Sequence, residues 1–350
     1  MSVRIAVVGC GRWGPNHVRV FNGLAECQVV AVADVDQERV GRIRTRFPHV
    51  RGETDYRRVL DDPAIDAVVV ATPTGSHHAI IRDALPAGKH VLCEKPLCLT
   101  VAAGEELVAL ARQHQRVLMV GHVFLFNPGI LKLKELVDAG ELGSLYYLSA
   151  NRVNLGPVRS DVNAAHDLAS HDISIFNWLL GSTPHTVSAT GASYLQTGFE
   201  DVVMVTLKYP WGVMAHIQAS WLDPKKVRHI TVVGDQRMLT WNDLDLATPI
   251  AIYDKGVDVR EGFRDFREFL RVSLRDGDVR LPKVASGEPL EIQDRAFVDA
   301  VIRGEAGRSD GAFGLDVVRV LEAVDTSLRL GGSPVSIESR TYAHTSDRPR

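Results

Sequence analysis

The chain has 350 residues, of which 45% are hydrophobic and 24% are charged, and this composition is typical of a folded globular protein with room for two domains. A formal net charge of -3 argues against nucleic acid or an anionic membrane as a partner. A reduced, cytoplasmic protein is predicted, because the four cysteines form no CxxC pair, no signal peptide is recognisable, and no apolar run approaches the roughly 20 residues of a membrane span.

The first 120 residues alternate short apolar runs with segments of helical periodicity. The runs are each about five residues long, which suits strands buried on both faces of a parallel sheet; they lie at 3–8, 29–33, 67–71, 90–93 and 116–120. Helices are predicted between them, for example at 37–47 and 101–113. The alternation predicts a doubly wound α/β domain, which we place at residues 1–123.

The pattern changes after residue 123, and a second α/β domain is predicted over 124–340. A helix at 128–139 is followed by successive strands between residues 144 and 233. Alternating apolar and polar residues, with turns at Pro210 and Gly234, predict an antiparallel sheet with one covered face.

Two further helices are predicted at 291–303 and 314–330, and they could pack on either domain. Residues 341–350 form a polar tail. An exposed face of the second sheet would favour a homo-oligomer, either a dimer or a tetramer.

A glycine-rich turn follows the first predicted strand and opens a helix. It reads Gly9-Cys10-Gly11-Arg12-Trp13-Gly14, the G-x-G-x-x-G pattern of dinucleotide sites. Gly9 permits the tight turn, Gly11 lets the backbone approach a pyrophosphate, and Gly14 allows close packing of the helix on the strand. The helix N-terminus then offers free N–H groups to the phosphates. Arg12 and Trp13 of this turn are included in the predicted cofactor site.

Asp34 closes the second predicted strand, twenty residues after Gly14. Its carboxylate can accept hydrogen bonds from the adenine ribose, whereas a 2′-phosphate would be repelled there. NAD is therefore favoured over NADP. Arg12 in the glycine-rich turn and Arg39, five residues after Asp34, are nevertheless basic residues that could bind such a phosphate.

Two later loops also follow predicted strands. Thr72 and Pro73 begin the first loop, which reaches His77, and Glu94 and Lys95 begin the second. In an open α/β sheet, ligands bind outside the carboxyl ends of the strands, so both loops are expected to face the cofactor.

Four sequence motifs together resemble the Gfo/Idh/MocA oxidoreductases, over nearly the whole chain. They are the turn and its continuation at 9–16, the segment 72–77, Glu94-Lys95-Pro96, and Asp167-Leu168-Ala169-Ser170-His171. The resemblance implies a Rossmann domain, and an α/β domain whose open, mostly antiparallel sheet carries the substrate and often the subunit contacts. It also implies a nicotinamide cofactor, a sugar or polyol substrate, and active-site roles for Lys95, Asp167 and His171.

Within this family, residues 11–16 and 151–157 look most like the branch of UDP-N-acetylglucosamine and UDP-N-acetylglucosaminuronate 3-dehydrogenases. The resemblance thus implies a nucleotide sugar oxidised at C3. His166 stands before Asp167 and Ala169 inside the motif, where many members differ. The alternatives are an inositol or free-sugar dehydrogenase, a sugar-processing enzyme that recycles its cofactor, and, in another class, a non-catalytic NAD(H)-binding regulatory protein.

Oxidation of an alcohol requires a base for the hydroxyl proton. His171 is a natural base because imidazole titrates near neutral pH, and Asp167, four residues earlier, could orient its ring or bind the sugar. Lys95 could donate a hydrogen bond to the reacting oxygen or, with a lowered pKa, accept the proton itself. The sequence leaves both assignments open.

Polar residues of the second domain are the candidates for substrate binding. They are Arg152, Asn154, Asn163, Lys225 and Arg228, of which the basic members could meet a phosphate. A metal site built from His166, Asp167, His171 and Asp172 is conceivable from residue types. No metal is predicted, because adjacent residues diverge on a helix and hydride transfer needs none.

Overall fold

The computed structural model describes residues 2–259, 272–305 and 307–342. The chain divides into two compact units, one formed by Met1–Asn127 with Gly287–Glu322 and the other by Pro128–Ser286 with Ala323–Arg350. Most of the predicted polar tail, residues 343–350, lies outside the described residues.

The first unit is built on a parallel sheet that has six strands among its described residues. They are β1 (Val3–Val8), β2 (Cys27–Ala33), β3 (Arg51–Glu53), β4 (Ala67–Val70), β5 (His90–Glu94) and β6 (Leu118–Gly121). The spatial order is β3-β2-β1-β4-β5-β6, so the strand order reverses between β1 and β4. Ligands bind at such a reversal in doubly wound sheets. The predicted doubly wound domain is confirmed.

Helices cover both faces of this sheet, which explains why strands such as β4 are apolar throughout. The helices up to β6 are α1 (Gly14–Phe21), α2 (Gln37–Arg46), α3 (Arg57–Leu60), α4 (His77–Ala84) and α5 (Val101–Gln113). Helix α2 begins where Asp36 accepts hydrogen bonds from the backbone of Glu38 and Arg39. The short elements β3 and α3 escape a periodicity analysis because they have three and four residues.

The second unit has a nine-stranded sheet, counted over the described part of the chain. Its elements begin with α6 (Pro128–Asp138), β7 (Leu145–Val153), a π-helical turn at Ala165–Ala169 and α7 (Ser170–Leu180). The strands that follow are β8 (Thr186–Ala192), β9 (Val202–Lys208), β10 (Met214–Ser220), β11 (Val227–Gly234), β12 (Met238–Asn242), β13 (Ile250–Val259) and β14 (Val272–Arg280). Only β7 and β10 pair in parallel within this sheet as described, which confirms the mostly antiparallel prediction.

This sheet is apolar on one face. In β10 the residues Ala215, Ile217 and Ala219 are fully buried, whereas Met214 is 47% exposed. Tyr147, the partner of Met214 on β7, is 43% exposed. The alternation follows from the two-residue side-chain period of a strand with one covered face.

The chain ends with α8 (Pro289–Arg303), α9 (Gly311–Arg329) and β15 (Val335–Ser336), the last pairing with β8. In the first unit Phe297 of α8 packs edge-on against Phe21 of α1, with ring centroids 6.4 Å apart. This packing is why residues 287–322 group with the first unit, although the sequence-based division places them in the second domain. No helix within the described ranges is long and apolar enough to cross a membrane.

Candidate active site

The glycine-rich turn is sterically incompatible with larger residues at two positions. Gly9 has φ +98°, and a Cβ there would lie 2.6 Å from the carbonyl of Ala71. A Cβ at Gly14 would lie 1.9 Å from the carbonyl oxygen of Gly9. At Gly11 the nearest atom to a Cβ is 3.8 Å away, so the backbone there is open to a ligand. The turn therefore fits a pyrophosphate placed against the start of α1.

Arg12 and Trp13 lie in the same turn and are exposed, Trp13 to 38%. The carbonyl of Arg12 accepts a hydrogen bond from the Asn16 amide, and that of Trp13 accepts one from the backbone of His17. These contacts join the turn to the first residues of α1 and leave both side chains at the surface of the turn.

Asp34 lies directly behind the turn, at the end of β2. One carboxylate oxygen accepts the backbone N–H of Cys10 at 2.6 Å, and the other accepts that of Asp36 at 2.9 Å. Each oxygen keeps a lone pair for a ribose hydroxyl. The guanidinium of Arg39 comes within 4.0 Å of the carboxylate. Asp34 thus presents a carboxylate at the place where the adenine ribose is expected.

The loop after β4 is tied to the loop after β5 by His77. Its ring nitrogens each lie 2.9 Å from a carbonyl oxygen, one of Thr72 and one of Pro96, while the Cys93 thiol is 3.2 Å from Nδ1. Burial lowers the pKa of His77, and hydrogen bonds to these carbonyls oppose that effect. A histidine so enclosed joins the two loops, and both of its ring nitrogens are engaged with the protein and not with a ligand as expected from the sequence. Pro73 lies exposed in the first of these loops.

Lys95 follows the last residue of β5 and is half-buried. Its peptide bond with Pro96 is cis. The backbone N–H of Lys95 donates to Glu94 at 3.3 Å, and the other Glu94 oxygen lies 3.1 Å from the ring of His17. Glu94 is therefore engaged inside the first unit, directly beside Lys95.

His122 is a residue of the first unit that sequence reasoning missed. It follows β6 and is fully buried, and neither ring nitrogen has a hydrogen-bond partner in the described part of the chain. Burial, and then the positive charge of Lys95, lower the pKa of His122 to about 3, so its ring is neutral. The strand-end argument that selected Thr72 and Lys95 applies equally to His122 and could have found it.

In the second unit, Asp167 lies in the π-helical turn and His171 lies in the first turn of α7. A π-helical turn is rare and often marks a functional site, because it displaces the side chains that follow it. Within α7 the carbonyl oxygen of His171 accepts a hydrogen bond from the side-chain hydroxyl of Ser174 at 2.7 Å.

The carboxylate of Asp167 accepts hydrogen bonds from Trp221, 54 residues away in sequence, and from Arg159, 8 residues away. The indole Nε1 of Trp221 donates to Oδ2 at 3.1 Å, and the guanidinium of Arg159 donates to Oδ1 at 3.4 Å. Trp221 is 1% exposed, whereas the side chain of Asp167 is 22% exposed. Neither Trp221 nor Arg159 is among the site residues predicted from the sequence.

Arg152, a predicted substrate ligand, forms a buried ion pair. Its Nε and Nη2 donate to the two carboxylate oxygens of Asp172 at 2.7 and 2.9 Å, and both residues are almost inaccessible to solvent. This bidentate pair joins β7 to α7 one residue after His171. The geometry favours a structural role for Arg152.

Asn163 caps the π-helical turn. Its side-chain oxygen accepts the backbone N–H of His166, and its amide donates to Glu200 and Asp325 at 3.0 and 3.2 Å. The ring of His166 lies 2.8 Å from the other oxygen of Asp325. Asn163 is 8% exposed, so its polar atoms serve the start of the helix.

The remaining candidates for substrate binding lie in the second unit, on or directly beside the paired strands β7 and β11. Asn154 is half-buried after β7, and its backbone N–H donates to Ser220. Lys225 is exposed in the loop before β11, and Arg228 on β11 pairs with Asp243 at 2.9 Å. Because Val153 on β7 pairs with Val227 on β11, Asn154, Lys225 and Arg228 all lie near the same end of these two strands.

Two of the four residues considered for a metal point to different partners: Asp172 binds Arg152, and His166 binds Asp325. Among the described residues there is no group of three or more His, Cys, Asp or Glu side chains that could hold a metal ion.

Two family models match the chain. The model of the Gfo/Idh/MocA oxidoreductase family with an NAD-binding Rossmann fold matches residues 3–122, and the model of the Gfo/Idh/MocA C-terminal domain matches residues 130–240. Together these matches cover well over half of the chain.

Individual proteins agree with this assignment. Inositol 2-dehydrogenase 2 of Saccharopolyspora erythraea is 32% identical over 62% of this chain and 66% of its own length. An oxidoreductase structure from Magnetospirillum magnetotacticum is 31% identical, covers 92% of this chain and 99% of its own, and has a TM-score of 0.78. UDP-N-acetylglucosamine 3-dehydrogenase GnnA of Acidithiobacillus ferrooxidans, at 24% identity, covers 95% of this chain and 99% of its own with a TM-score of 0.80, and shares the fold. This chain belongs to the Gfo/Idh/MocA family and is an NAD-dependent oxidoreductase.

Proposed function

We propose that this enzyme oxidises a secondary alcohol on the ring of a polyol or sugar to a ketone. The observation that carries the proposal is the Asp167 carboxylate, held by Trp221 and Arg159 in a π-helical turn four residues before His171. A carboxylate fixed by two donors and still partly exposed is suited to bind a hydroxyl group or to orient an imidazole.

Three residues carry the proposed reaction. His171 takes the proton of the substrate hydroxyl, and Asp167 stabilises the imidazolium that results. Lys95 keeps its Nζ proton directed at the substrate oxygen and stabilises negative charge there. In the alternative assignment Lys95 accepts the hydroxyl proton, and His171 donates a hydrogen bond to the substrate oxygen. NAD, when bound, supplies the acceptor for the hydride that leaves the carbon.

An uncharged polyol such as an inositol or a free sugar is the favoured substrate class. Recognition of a diphosphate would need several basic groups, but of the three basic candidates Arg152 pairs with Asp172 and Arg228 pairs with Asp243, so that the exposed Lys225 remains. Inositol 2-dehydrogenases also recur among the relatives by sequence. The arrangement of charge and the relatives therefore support the same substrate class.

The second candidate is a nucleotide sugar oxidised at C3. It is supported by the exposed Lys225 and by the resemblance of residues 151–157 to that branch of the family. On this alternative Lys225 would contact the diphosphate and Asn154 would contact the sugar.

A homo-oligomer, dimeric or tetrameric, is part of the proposal. The exposed face of the second sheet carries Tyr147 on β7 and its partner Met214 on β10, each more than 40% exposed. Apolar area of this kind is typical of a subunit interface. Light scattering of the purified chain measures the state directly, and a monomer at all concentrations would contradict it.

The proposed function is tested by following NADH formation with myo-inositol, free sugars and UDP-N-acetylglucosamine. Turnover of polyols but not of the UDP-sugar supports the favoured class, and the reverse result supports the second candidate. Lys95→Ala and His171→Ala should each lower kcat by about 10²- to 10⁴-fold. The control Lys132→Ala, which removes a surface lysine paired with Glu135, should leave kcat unchanged.

A non-catalytic, NAD(H)-binding regulatory protein would bind NADH and turn over none of these alcohols. A sugar-processing enzyme that recycles its cofactor would consume its substrate without accumulating NADH. Product analysis by mass spectrometry in the same reactions separates these two outcomes from the dehydrogenase.

A further inference from the structure

A charged triad is buried in the first unit behind the loop that carries Lys95. His17 has no accessible surface, and its Nδ1 lies 2.9 Å from Oδ2 and 3.1 Å from Oδ1 of Asp294. Its Nε2 lies 3.1 Å from Oε1 of Glu94. Asp294 is likewise fully buried, and the side chain of Glu94 is 12% exposed.

The geometry determines the protonation of His17. A neutral imidazole carries one N–H, but here a carboxylate faces each ring nitrogen, so both nitrogens must donate. Burial alone would lower the pKa of His17, but Asp294 and Glu94 raise it to about 10. Burial raises the pKa of Asp294, and the imidazolium opposes that effect. The triad therefore consists of one cation between two carboxylates.

The other groups that face the triad do not replace His17 as its cation. The amide of Gln293 on α8 donates to Asp294 at 3.2 Å. The thiol of Cys27 on β2 is neutral, because burial raises its pKa to about 11. Arg19, on the outer part of α1, pairs with Glu288. Loss of the imidazolium would leave two buried carboxylates facing each other, which is costly.

The triad connects three segments of the first unit, namely the start of α1, the end of β5 and α8. His17 lies in the first turn of α1, three residues after Gly14 of the nucleotide-binding turn. Glu94 ends β5, and its Oε2 accepts the backbone N–H of Lys95. Asp294 comes from α8 and is 277 residues away from His17 in the sequence.

We propose that His17 and Asp294 are positioning residues for Lys95. The imidazolium holds the Glu94 carboxylate, and this carboxylate holds the backbone of Lys95 at a set distance from the nucleotide-binding turn. The inference rests on the proposed function, in which Lys95 contacts the reacting oxygen. A displacement of about 1 Å in such a group can lower a rate about 10²-fold.

The charge state is tested first in the unaltered protein. Nitrogen-15 NMR of the histidine rings should show His17 with both nitrogens protonated at neutral pH, in the presence and in the absence of NAD. A single protonated nitrogen would overturn the proposal. This measurement needs no substrate and no variant, so it stands whether or not the proposed reaction is found.

Positioning is tested with His17→Gln and Asp294→Asn, against the matched control His78→Gln. His78 belongs to the same unit but forms an exposed ion pair with Glu106 at 2.8 Å. Hydrogen exchange of the peptide that contains Glu94 and Lys95 should become about 10-fold faster in the two variants and should not change in the control. Unchanged hydrogen exchange in both variants would refute the positioning role of His17 and Asp294.

Kinetics provide the second readout. In His17→Gln, kcat should fall about 10²-fold while the KM for NAD stays close to that of the parent enzyme, because the nucleotide-binding turn itself is intact. A variant that keeps its kcat, or that loses only affinity for NAD, would overturn the positioning role. If the parent enzyme turns over none of the alcohols, the proposed function fails. The NMR and hydrogen-exchange results still decide whether His17 and Asp294 hold the backbone of Lys95.

Discussion

The indole Nε1 of Trp221 donates a hydrogen bond to Oδ2 of Asp167 over 3.1 Å. This bond joins the end of β10 to the π-helical turn, two segments that are 54 residues apart. The indole ring is buried and the carboxylate is partly exposed. The hydrogen bond therefore fixes the position of the Asp167 carboxylate relative to the sheet.

Replacing Trp221 with Phe removes this donor and keeps most of the buried ring. We expect kcat/KM to fall about 10-fold or more, because a hydrogen bond to a charged group contributes about 1.5–3 kcal/mol. The matched control is Trp241→Phe, a buried tryptophan on β12 that two strands separate from β10. An equal loss of kcat/KM in both variants would show that the Asp167 contact has no special effect.

The choice of cofactor is expected to depend on Asp34. In Asp34→Asn the repulsion of a 2′-phosphate is removed while an acceptor for the backbone of Cys10 remains. The ratio of kcat/KM for NAD to that for NADP should fall about 10-fold or more, since juxtaposed like charges cost several kcal/mol. Asp36→Asn, two residues further along at the start of α2, is the control and should keep the ratio. A ratio that is the same in all three proteins would refute the role of Asp34.

Arg152 and Asp172 provide a test between substrate binding and structure. Arg152→Met leaves the buried carboxylate of Asp172 without its bidentate partner, and we expect the protein to lose about 3–5 kcal/mol of stability. The double variant Arg152→Met with Asp172→Leu should recover most of that loss, because it removes both charges. Thermal unfolding measures both effects. A stable Arg152→Met variant with a raised substrate KM would instead restore Arg152 as a substrate ligand.

Acid stability is expected to depend on His122. The pKa of His122, about 3 in the folded protein, lies below the ordinary histidine value of 6.5, so the unfolded chain takes up a proton that the folded chain excludes. Stability due to the neutral ring is therefore present above pH 6.5 and is lost as the pH falls from 6.5 towards 3. The pKa values of the buried His77 and the half-buried His90 are lowered as well, so the contribution of His122 has to be isolated with a variant.

The variant His122→Phe keeps an aromatic ring beside Phe313, which lies 5.8 Å from His122 between ring centroids. The unfolding free energy, measured from about pH 4 to about pH 8, should rise less steeply with pH in the variant. The difference in slope should correspond to the uptake of about one proton on unfolding. The two curves should run parallel above neutral pH. Parallel curves over the whole range would show that His122 titrates normally or takes up no proton on unfolding.

The nucleotide half of the site was accessible from the sequence because its geometry is local. Gly9, Gly11 and Gly14 lie within six residues, and backbone sterics alone determine what each can do. Asp34 and Lys95 were found because strands of a parallel sheet end along one edge. His122 obeys the same argument, but its neutral and unpartnered state depends on burial and on Lys95.

The substrate half was harder to predict because its residues meet through long-range contacts. Arg152 reads as a free basic group in the sequence, and only the packing of α7 on β7 brings Asp172 against it. Asn163 is a candidate sugar ligand in the sequence, and in the structure its side-chain oxygen accepts the backbone N–H of His166. A polar residue has the same sequence signature whether a ligand or a neighbouring side chain satisfies it.

The sequence by itself determined the doubly wound first domain, the dinucleotide turn, the preference for NAD and the family motifs around Lys95, Asp167 and His171. These features follow from local backbone sterics and from periodic burial, which adjacent residues encode. Only the tertiary structure decided which charges are compensated: Trp221 at Asp167, Asp172 at Arg152, and the pair of carboxylates at His17. The physical reason is that a buried charge requires a partner, and the fold recruits that partner from anywhere along the chain.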